Sequence, residues 1–528
     1  MNDRFKKPFL YLSISYYMSE TISSNKTIAK NTLLTYIRLL FNLIVSLYTS
    51  RVILQVLGVD DLGTYQVVGG IVSIFTFIGV AMAGATSRFL AYEIPLGNIE
   101  RLKKTFSASL NVSIISAILL VLVAETIGIW LVINVLSIPP GRENAAMIVY
   151  QFSILSTVFT FLQTPYNATL IAHEKISVFA YIGILDTILK LLICYFVLVL
   201  PMDKLIAYAV LIALTGATIQ LIYWIYCKRH FEECVFSWKV DKEVMKPLLT
   251  FSGWDLFNNF CFGAKQQGLN ILLNTFFSVA INAACGFSNT IYAAIRGFAN
   301  NFMISVRPVM TKCYSIKDYG RMQELIIDSS KFSFSLMLLL SMPFFLEGDF
   351  IVTLWLKNPP NWTVIFCQLQ LATCIISVLF SPVYYGIVAT GKNKLYALQD
   401  SFLMLLSLPI TFFFLKAGYS PLVPFIVLIV IELIKSNLYV YILKKNIPNY
   451  KITVFYRRSV LPCSFIAIFC VSLVLVCSLL FKQSGWLRFI IVCLLSTFSI
   501  IFMSYFFLLR TSYKQICLNK IRSIFKLM

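Results

Sequence analysis

Residues 86–113, TSRFLAYEIPLGNIERLKKTFSASLNVS, and residues 305–333, SVRPVMTKCYSIKDYGRMQELIIDSSKFS, resemble each other at a separation of about 220 residues, pairing Arg88 with Arg307 and Arg101 with Arg321. A second pair stands in nearly the same register. QTPYNATLIAHEK (163–175) matches SPVYYGIVATGKN (381–393) and aligns Pro165 with Pro382. Apolar helices resemble one another by composition, so one match carries little; two in one register point to a duplicated unit.

Apolar runs surround both copies. About 20 residues of helix cross the ~30 Å of bilayer hydrocarbon, and the chain offers fourteen such runs: 32–57, 64–91, 107–135, 146–171, 177–200, 205–227, 250–275, 281–310, 332–355, 364–389, 396–415, 421–443, 459–481 and 487–510. With 59% hydrophobic and 13% charged residues among 528, too little polar surface remains for a soluble globule. The fold class is therefore an all-α polytopic membrane protein with 14 transmembrane helices. Six crossings return the chain to its starting side, so the copies share an orientation, with an axis along the bilayer normal and the substrate site between them. The expected division is a cytoplasmic tail (1–30), an N-lobe of helices 1–6 (31–227), a cytoplasmic loop (228–249), a C-lobe of helices 7–12 (250–443), helices 13–14 (459–510) and a basic tail (511–528).

The net charge of +21 would suit nucleic acid, but its placement argues against that partner. With the N-terminus inside, roughly 30 of the 44 Lys and Arg fall in tails and inner loops and about 6 in outer loops, the positive-inside pattern. The clusters Arg101, Lys103, Lys104; Lys228, Arg229, Lys239, Lys242, Lys246; Lys312, Lys317, Arg321; and Lys444, Lys445, Lys451, Arg457, Arg458 mark inner loops, and both termini are expected in the cytoplasm. Residues 9–17 form only a short apolar patch with no cleavage site after it, so Met18 is an expected alternative start. The 13 Cys lie mainly in apolar spans without CxxC pairs, and there are only two His, so neither a metal site nor a disulfide framework is expected. No P-loop is present and no cofactor is expected. The outer loops are short and carry no carboxylate-and-metal constellation, which favours a transporter over a glycan-assembly enzyme.

Six basic residues stand inside the apolar spans: Arg38, Arg51, Arg88, Lys265, Arg296 and Arg307. A cation at the centre of a spanning helix costs about 2.5–3.5 kcal/mol on the lenient scale, so such residues face a watery cavity or a counter-ion. In helix 7, FSGWDLFNNFCFGAKQQGLNILLNTFF, the residues Asp255, Asn258, Asn259, Lys265, Gln266, Asn270 and Asn274 fall largely on one broad face. Helix 8 repeats this with Asn282, Asn289, Arg296, Asn300 and Arg307. Lipid cannot satisfy such rows. Arg88 and Arg307 lie close enough to the helix ends to snorkel, whereas Arg38, Lys265 and Arg296 lie deep. Paired Arg forks and a compact Lys charge suit phosphate oxygens, so the expected ligand is anionic. Among intramembrane acids, Asp186 pairs with Lys190 and Glu432 with Lys435 at helical spacing, Asp255 is placed to neutralise a cavity cation, and Glu125 is a further charge-balance or coupling candidate.

The stretches NKTIAKNTLLTYIRLL (25–40), SLYTSRVILQVLGVDDLGTYQVVGG (46–70), GATSRFLAYE (84–93) and QTPYNATLIAHEK, with the six-plus-six-plus-two layout, resemble polysaccharide flippases of the multidrug/oligosaccharidyl-lipid/polysaccharide exporter superfamily, in the O-antigen and capsule branch. The resemblance implies a V-shaped pair of lobes in a pseudo-two-fold, MATE-like arrangement in a bacterial inner membrane. It implies transport of an undecaprenyl-pyrophosphate-linked oligosaccharide from the cytoplasmic to the periplasmic leaflet for lipopolysaccharide or other polysaccharide synthesis, with membrane lipids and polymerase or ligase machinery as partners. Family members line the cleft with helices 1, 2, 7 and 8, the helices that carry all six cations here.

Two other functions fit less well. A cation-coupled multidrug exporter needs acids in the N-lobe cleft, and helix 1 has none in its span; a lipid II flippase shares the helix count and basic cleft. The topology is testable by single-Cys labelling in a Cys-depleted background. Residue 240 should resist an impermeant reagent added from outside; labelling from that side would overturn the orientation.

Overall fold

The computed structural model describes residues 25–73, 76–134, 141–238, 241–277, 279–356, 359–480 and 485–508. The expectations for both tails, Met18 included, lie outside the described residues. The helices are α1 (Asn25–Ser73), α2 (Thr76–Glu93), α3 (Ile99–Val123, continued through a π-turn at Ala124–Gly128 to Ile129–Asn134), α4 (Glu143–Ala172), α5 (Ile176–Val199), α6 (Lys204–His230) and α7 (Lys242–Phe276). They continue with α8 (Val279–Ser315), α9 (Tyr319–Leu356), α10 (Thr363–Thr390), α11 (Lys394–Lys416), α12 (Val423–Asn446), α13 (Leu461–Leu480, led in by Ile452–Phe455 and a π-turn at Tyr456–Val460) and α14 (Trp486–Met503, with a π-turn at Ser504–Leu508). No strand occurs among the described residues.

The apolar scan locates the spans but clips their ends. Where 311–331 reads as a polar inner connection, α8 runs on to Ser315 and α9 begins at Tyr319. The expected loop 228–249 shrinks to the segment between α6 and α7, because Lys228, Arg229 and His230 occupy the last turn of α6. Cations there complement the helix dipole. Expected helix 1 and the first part of expected helix 2 are joined in α1, with a corner at Gly58 (φ 79°, ψ 176°), a backbone region that costs other residues about 1–3 kcal/mol.

Duplication is visible in the packing. In the first copy α1 packs on α5, α2 on α4, α3 on α4, α4 on α6 and α5 on α6. The second copy packs α9 on α10, α10 on α12 and α11 on α12. Its remaining equivalents appear in side-chain contacts. Phe276 of α7 meets Phe412 of α11 at 5.7 Å between ring centroids, and Gln370 of α10 donates to Ser288 and Asn289 of α8, both at 2.9 Å. Pro165 and Pro382, aligned in sequence, are both buried inside α4 and α10.

Helices 13 and 14, an appendix in sequence, are fastened to α9 by polar groups that hydrocarbon would leave unsatisfied. Arg488 meets Glu347 at 2.6 Å, Arg458 pairs with Glu324 at 2.7 Å, and buried Lys331 donates to the carbonyl of Leu508 at 3.1 Å, in the π-turn that ends α14.

Among the described residues ten helices are long and apolar enough to cross a membrane. Among the described residues α7 and α8, which carry Lys265, Arg296 and Arg307, fall outside that set.

Beyond the Gly58 corner, Arg142 ahead of α4 bridges Asp61 of α1 and Asp203, which caps α6 through the backbone N–H groups of Leu205 and Ile206. Burial pushes the Asp203 carboxyl up, but hydrogen bonds from Arg142 and those two N–H groups more than offset it and hold the group below its usual range. Its stabilising contribution is thus complete above the ordinary carboxylate range, about pH 4, and fades as pH falls through the lowered value. Arg142→Gln should cost about 1–2 kcal/mol at pH 7, between the exposed and buried limits for ion pairs. Thermal unfolding in detergent should show a gap between variant and parent that narrows towards pH 3; an equal gap at both pH values would contradict this.

Candidate functional site

The chain divides into two compact units: Met1–Phe260 with Ile304–Asp318, and Cys261–Met303 with Tyr319–Met528. Helices α7 and α8 each give one segment to either unit, a sharing that the lobe boundary expected at residue 250 does not contain.

In the first unit Asp255 of α7 lies within Coulombic reach of Arg307 of α8. Asp255 also stands close to α2 where Gly84 has no side chain; a Cβ built there would lie 3.6 Å from the Asp255 Oδ2. Arg88 of α2 is packed among rings, its guanidinium carbon 4.6 Å from the centroid of Phe89, 5.1 Å from Tyr92 and 6.0 Å from Phe251. Such contacts hold a cation by the ring quadrupole. Arg38 turns towards the helices behind it. It lies over Phe179 of α5 at 4.1 Å, and its Cδ would meet a Cβ on Gly183 at 3.0 Å, so only glycine leaves it this room. Asn42 accepts from Thr187 of α5 at 2.9 Å. At the far end of α8, buried Lys312 pairs with Glu174 in the α4–α5 turn, a residue held at φ 60° whose carbonyl accepts from Asn31 at 3.3 Å.

The second unit holds a denser network. Lys265 of α7 lies within Coulombic reach of Lys435, Glu432, Arg296 and Asp400. Lys435 of α12 is fixed between Glu432 at 2.7 Å and Asp400 at 3.4 Å. Asp400 of α11 also accepts from the hydroxyls of Tyr439 and of Tyr396, the latter at 3.3 Å. Arg296 donates to the Tyr292 hydroxyl one turn earlier on α8, with its guanidinium carbon 5.5 Å from that ring. Lys265 has the Phe262 ring at 4.7 Å as its direct contact and no hydrogen bond or ion pair among the described residues. The network therefore holds three cations, Lys265, Arg296 and Lys435, against two carboxylates.

The structure thus groups Arg88, Arg307 and Asp255 within the first unit and Lys265 with Arg296 in the second. Asn258 and Gln266 are half-buried and Asn300 is exposed. The side chains of Arg51, Gln66, Asn274 and Asn282 lie outside the described residues. Asp186 pairs with Lys190 at 2.7 Å, and Glu125 sits exposed in the α3 π-turn, accepting from Gln151 at 3.3 Å. Helical spacing pairs Lys435 with Glu432 alone. Its second carboxylate, Asp400, and the Tyr396 and Tyr439 hydroxyls come from separate stretches of chain; the available signal was an acid in each of two adjacent apolar spans.

Residues 35–196 match the family model described as MatE. No curated protein matches the chain. The structure is similar to that of an outward-facing multidrug resistance MATE family transporter of the MOP superfamily, with a TM-score of 0.65 at 13% identity, covering 81% of this chain and 96% of that one. It is also similar to a Vibrio cholerae MATE transporter in a bent form, with a TM-score of 0.63, 15% identity and coverage of 82% and 98%. A third similar structure is a MOP superfamily transporter from Pyrococcus furiosus described by a binding pocket of reversed polarity that suggests a different function, with a TM-score of 0.62, 12% identity and coverage of 81% and 96%. The chain has the MATE transporter fold and is a multi-pass membrane protein.

Proposed function

We propose that this protein is a flippase that carries an undecaprenyl-pyrophosphate-linked oligosaccharide from the cytoplasmic to the periplasmic leaflet, supplying polysaccharide polymerase or ligase machinery. The observation that carries the reading is the cation excess of one buried network in the second unit: among the described residues Lys265, Arg296 and Lys435 stand against Glu432 and Asp400, and the direct contact of Lys265 is the Phe262 ring. An excess positive charge in a membrane interior is costly, and an anionic headgroup relieves that cost where a cationic drug would add to it. Arg296 offers a fork for two phosphate oxygens and Lys265 a compact charge, while the polyprenyl tail stays in lipid and no covalent chemistry is needed. Alternating access of the polar helices to the two leaflets completes the cycle.

A multidrug exporter is the second reading, favoured by the similarity to a multidrug resistance transporter. The charge balance speaks against it, and the Pyrococcus furiosus transporter is a precedent for pocket polarity marking a different function on this fold. Lipid II has the same pyrophosphate chemistry; rescue of peptidoglycan synthesis separates that cargo.

Arg296→Ala and Lys265→Ala should each abolish surface glycan at matched membrane abundance, and Arg296→Lys should retain part of it because charge persists while the paired hydrogen bonds do not. Lys416→Gln, at the exposed end of α11, should export normally. Normal export by Arg296→Ala would overturn the proposal.

A further inference from the structure

Residues 231–238, which follow α6, are held by specific bonds and carry exposed apolar side chains. Ser237 faces α3: its N–H donates to Ser107 Oγ at 3.0 Å, and its carbonyl accepts from Ser107 at 2.7 Å and from Asn111 at 2.9 Å. Ser107 and Asn111 are themselves buried, so the clamp is part of the helix packing of the first unit. Farther along, Asp241 pairs with Lys104 of α3 at 3.0 Å. On the other side of Ser237, Glu233 binds His173, whose ring stacks on Phe231 at 4.4 Å.

The Ser237 backbone is held against α3, and the Phe236 and Trp238 side chains on either side of it are exposed. They are 45% and 66% exposed, packed edge to face at 5.0 Å, and Val235 beside them is 52% exposed. A connection clamped at both ends that presents Val, Phe and Trp outwards would be a poor solution in water. Cations surround it: Lys103, Lys104, Lys228, Arg229, Lys242 and Lys246 are all exposed, against the acids Glu232, Asp241 and Glu243. Trp224 and Ile225 on the last turns of α6 and Leu249 on α7 are exposed apolar side chains as well. Lys228 lies over the Trp224 ring at 5.0 Å, a stem along an apolar side chain with its charge carried beyond it.

We infer that residues 231–238 are a membrane-surface anchor: Phe236 and Trp238 insert among the headgroups at this end of the protein, and the surrounding cations bind anionic lipid there. Trp at the headgroup level and basic groups beside anionic lipid are each stabilised by the interface itself. The clamp on α3 keeps the aromatic pair turned outward, so the connection between the two halves of the chain is fixed to the first unit and to the bilayer together. The inference is independent of the cargo, since it concerns lipid at the surface and not transport.

The full chain and its Trp238→Phe variant, in nanodiscs of phosphatidylcholine with and without phosphatidylglycerol, provide the test. The fluorescence difference between the two reports Trp238 alone. That difference signal should be quenched by bromine carried near the lipid glycerol and shielded from aqueous iodide. Lys103→Gln, Lys242→Gln and Lys246→Gln together should lower the preference for spin-labelled phosphatidylglycerol over phosphatidylcholine several-fold. A difference signal quenched by iodide and untouched by brominated lipid would overturn the insertion, as expected for a segment that waits in water for a protein partner. An unchanged lipid preference in the triple variant would overturn the anionic-lipid contact.

Discussion

A charge placed in hydrocarbon must find a partner, and the structure can be read as a set of answers to that demand. Lys435 is met by two carboxylates, Arg296 by a tyrosine hydroxyl, Arg88 by three rings, and Lys312 by Glu174. Arg488 and Lys331 use the same means to fasten α14 to α9, and the partly exposed Arg458–Glu324 pair ties the lead-in of α13 to it. Lys265 stands apart, with a ring as its direct contact among the described residues. The places where compensation is complete are structural fasteners; the place where it is one charge short is where an anion from outside has most to contribute.

Three of the six cations stand on the two helices least suited to lipid. Among the described residues α7 and α8 fall outside the set long and apolar enough to cross a membrane, and each gives a segment to both compact units. A polar helix can be kept in a membrane protein only where neighbouring helices or water satisfy it. The ten apolar helices provide that surrounding, and the duplicated packing of α3, α4 and α6 and of α9, α10 and α12 repeats one solution twice.

Much of this was legible in the sequence because hydropathy and charge act locally. The spans, the repeat anchored on Arg88 with Arg307 and Pro165 with Pro382, and the pairs Asp186–Lys190 and Glu432–Lys435 follow from spacing along single helices. Helix ends were clipped because Lys228, Arg229 and His230 extend α6 past its apolar span. The Asp400–Lys435 pairing, the turn of Arg38 towards Phe179 and the Arg142 bridge to Asp61 and Asp203 join residues far apart in the chain, and no periodicity reports them. The inter-lobe loop was recognised as basic, yet the outward turn of Phe236 and Trp238 depends on Ser107 and Asn111, more than 120 residues earlier.

The central claim is that the intramembrane cation excess receives an anionic lipid headgroup. Direct binding tests it: the purified full chain, examined by native mass spectrometry with undecaprenyl pyrophosphate and, separately, with a lipophilic cation such as tetraphenylphosphonium. The account predicts saturable binding of the pyrophosphate lipid, weakened by Lys265→Ala, and no saturable binding of the cation. Saturable binding of tetraphenylphosphonium with none of the pyrophosphate lipid would contradict it.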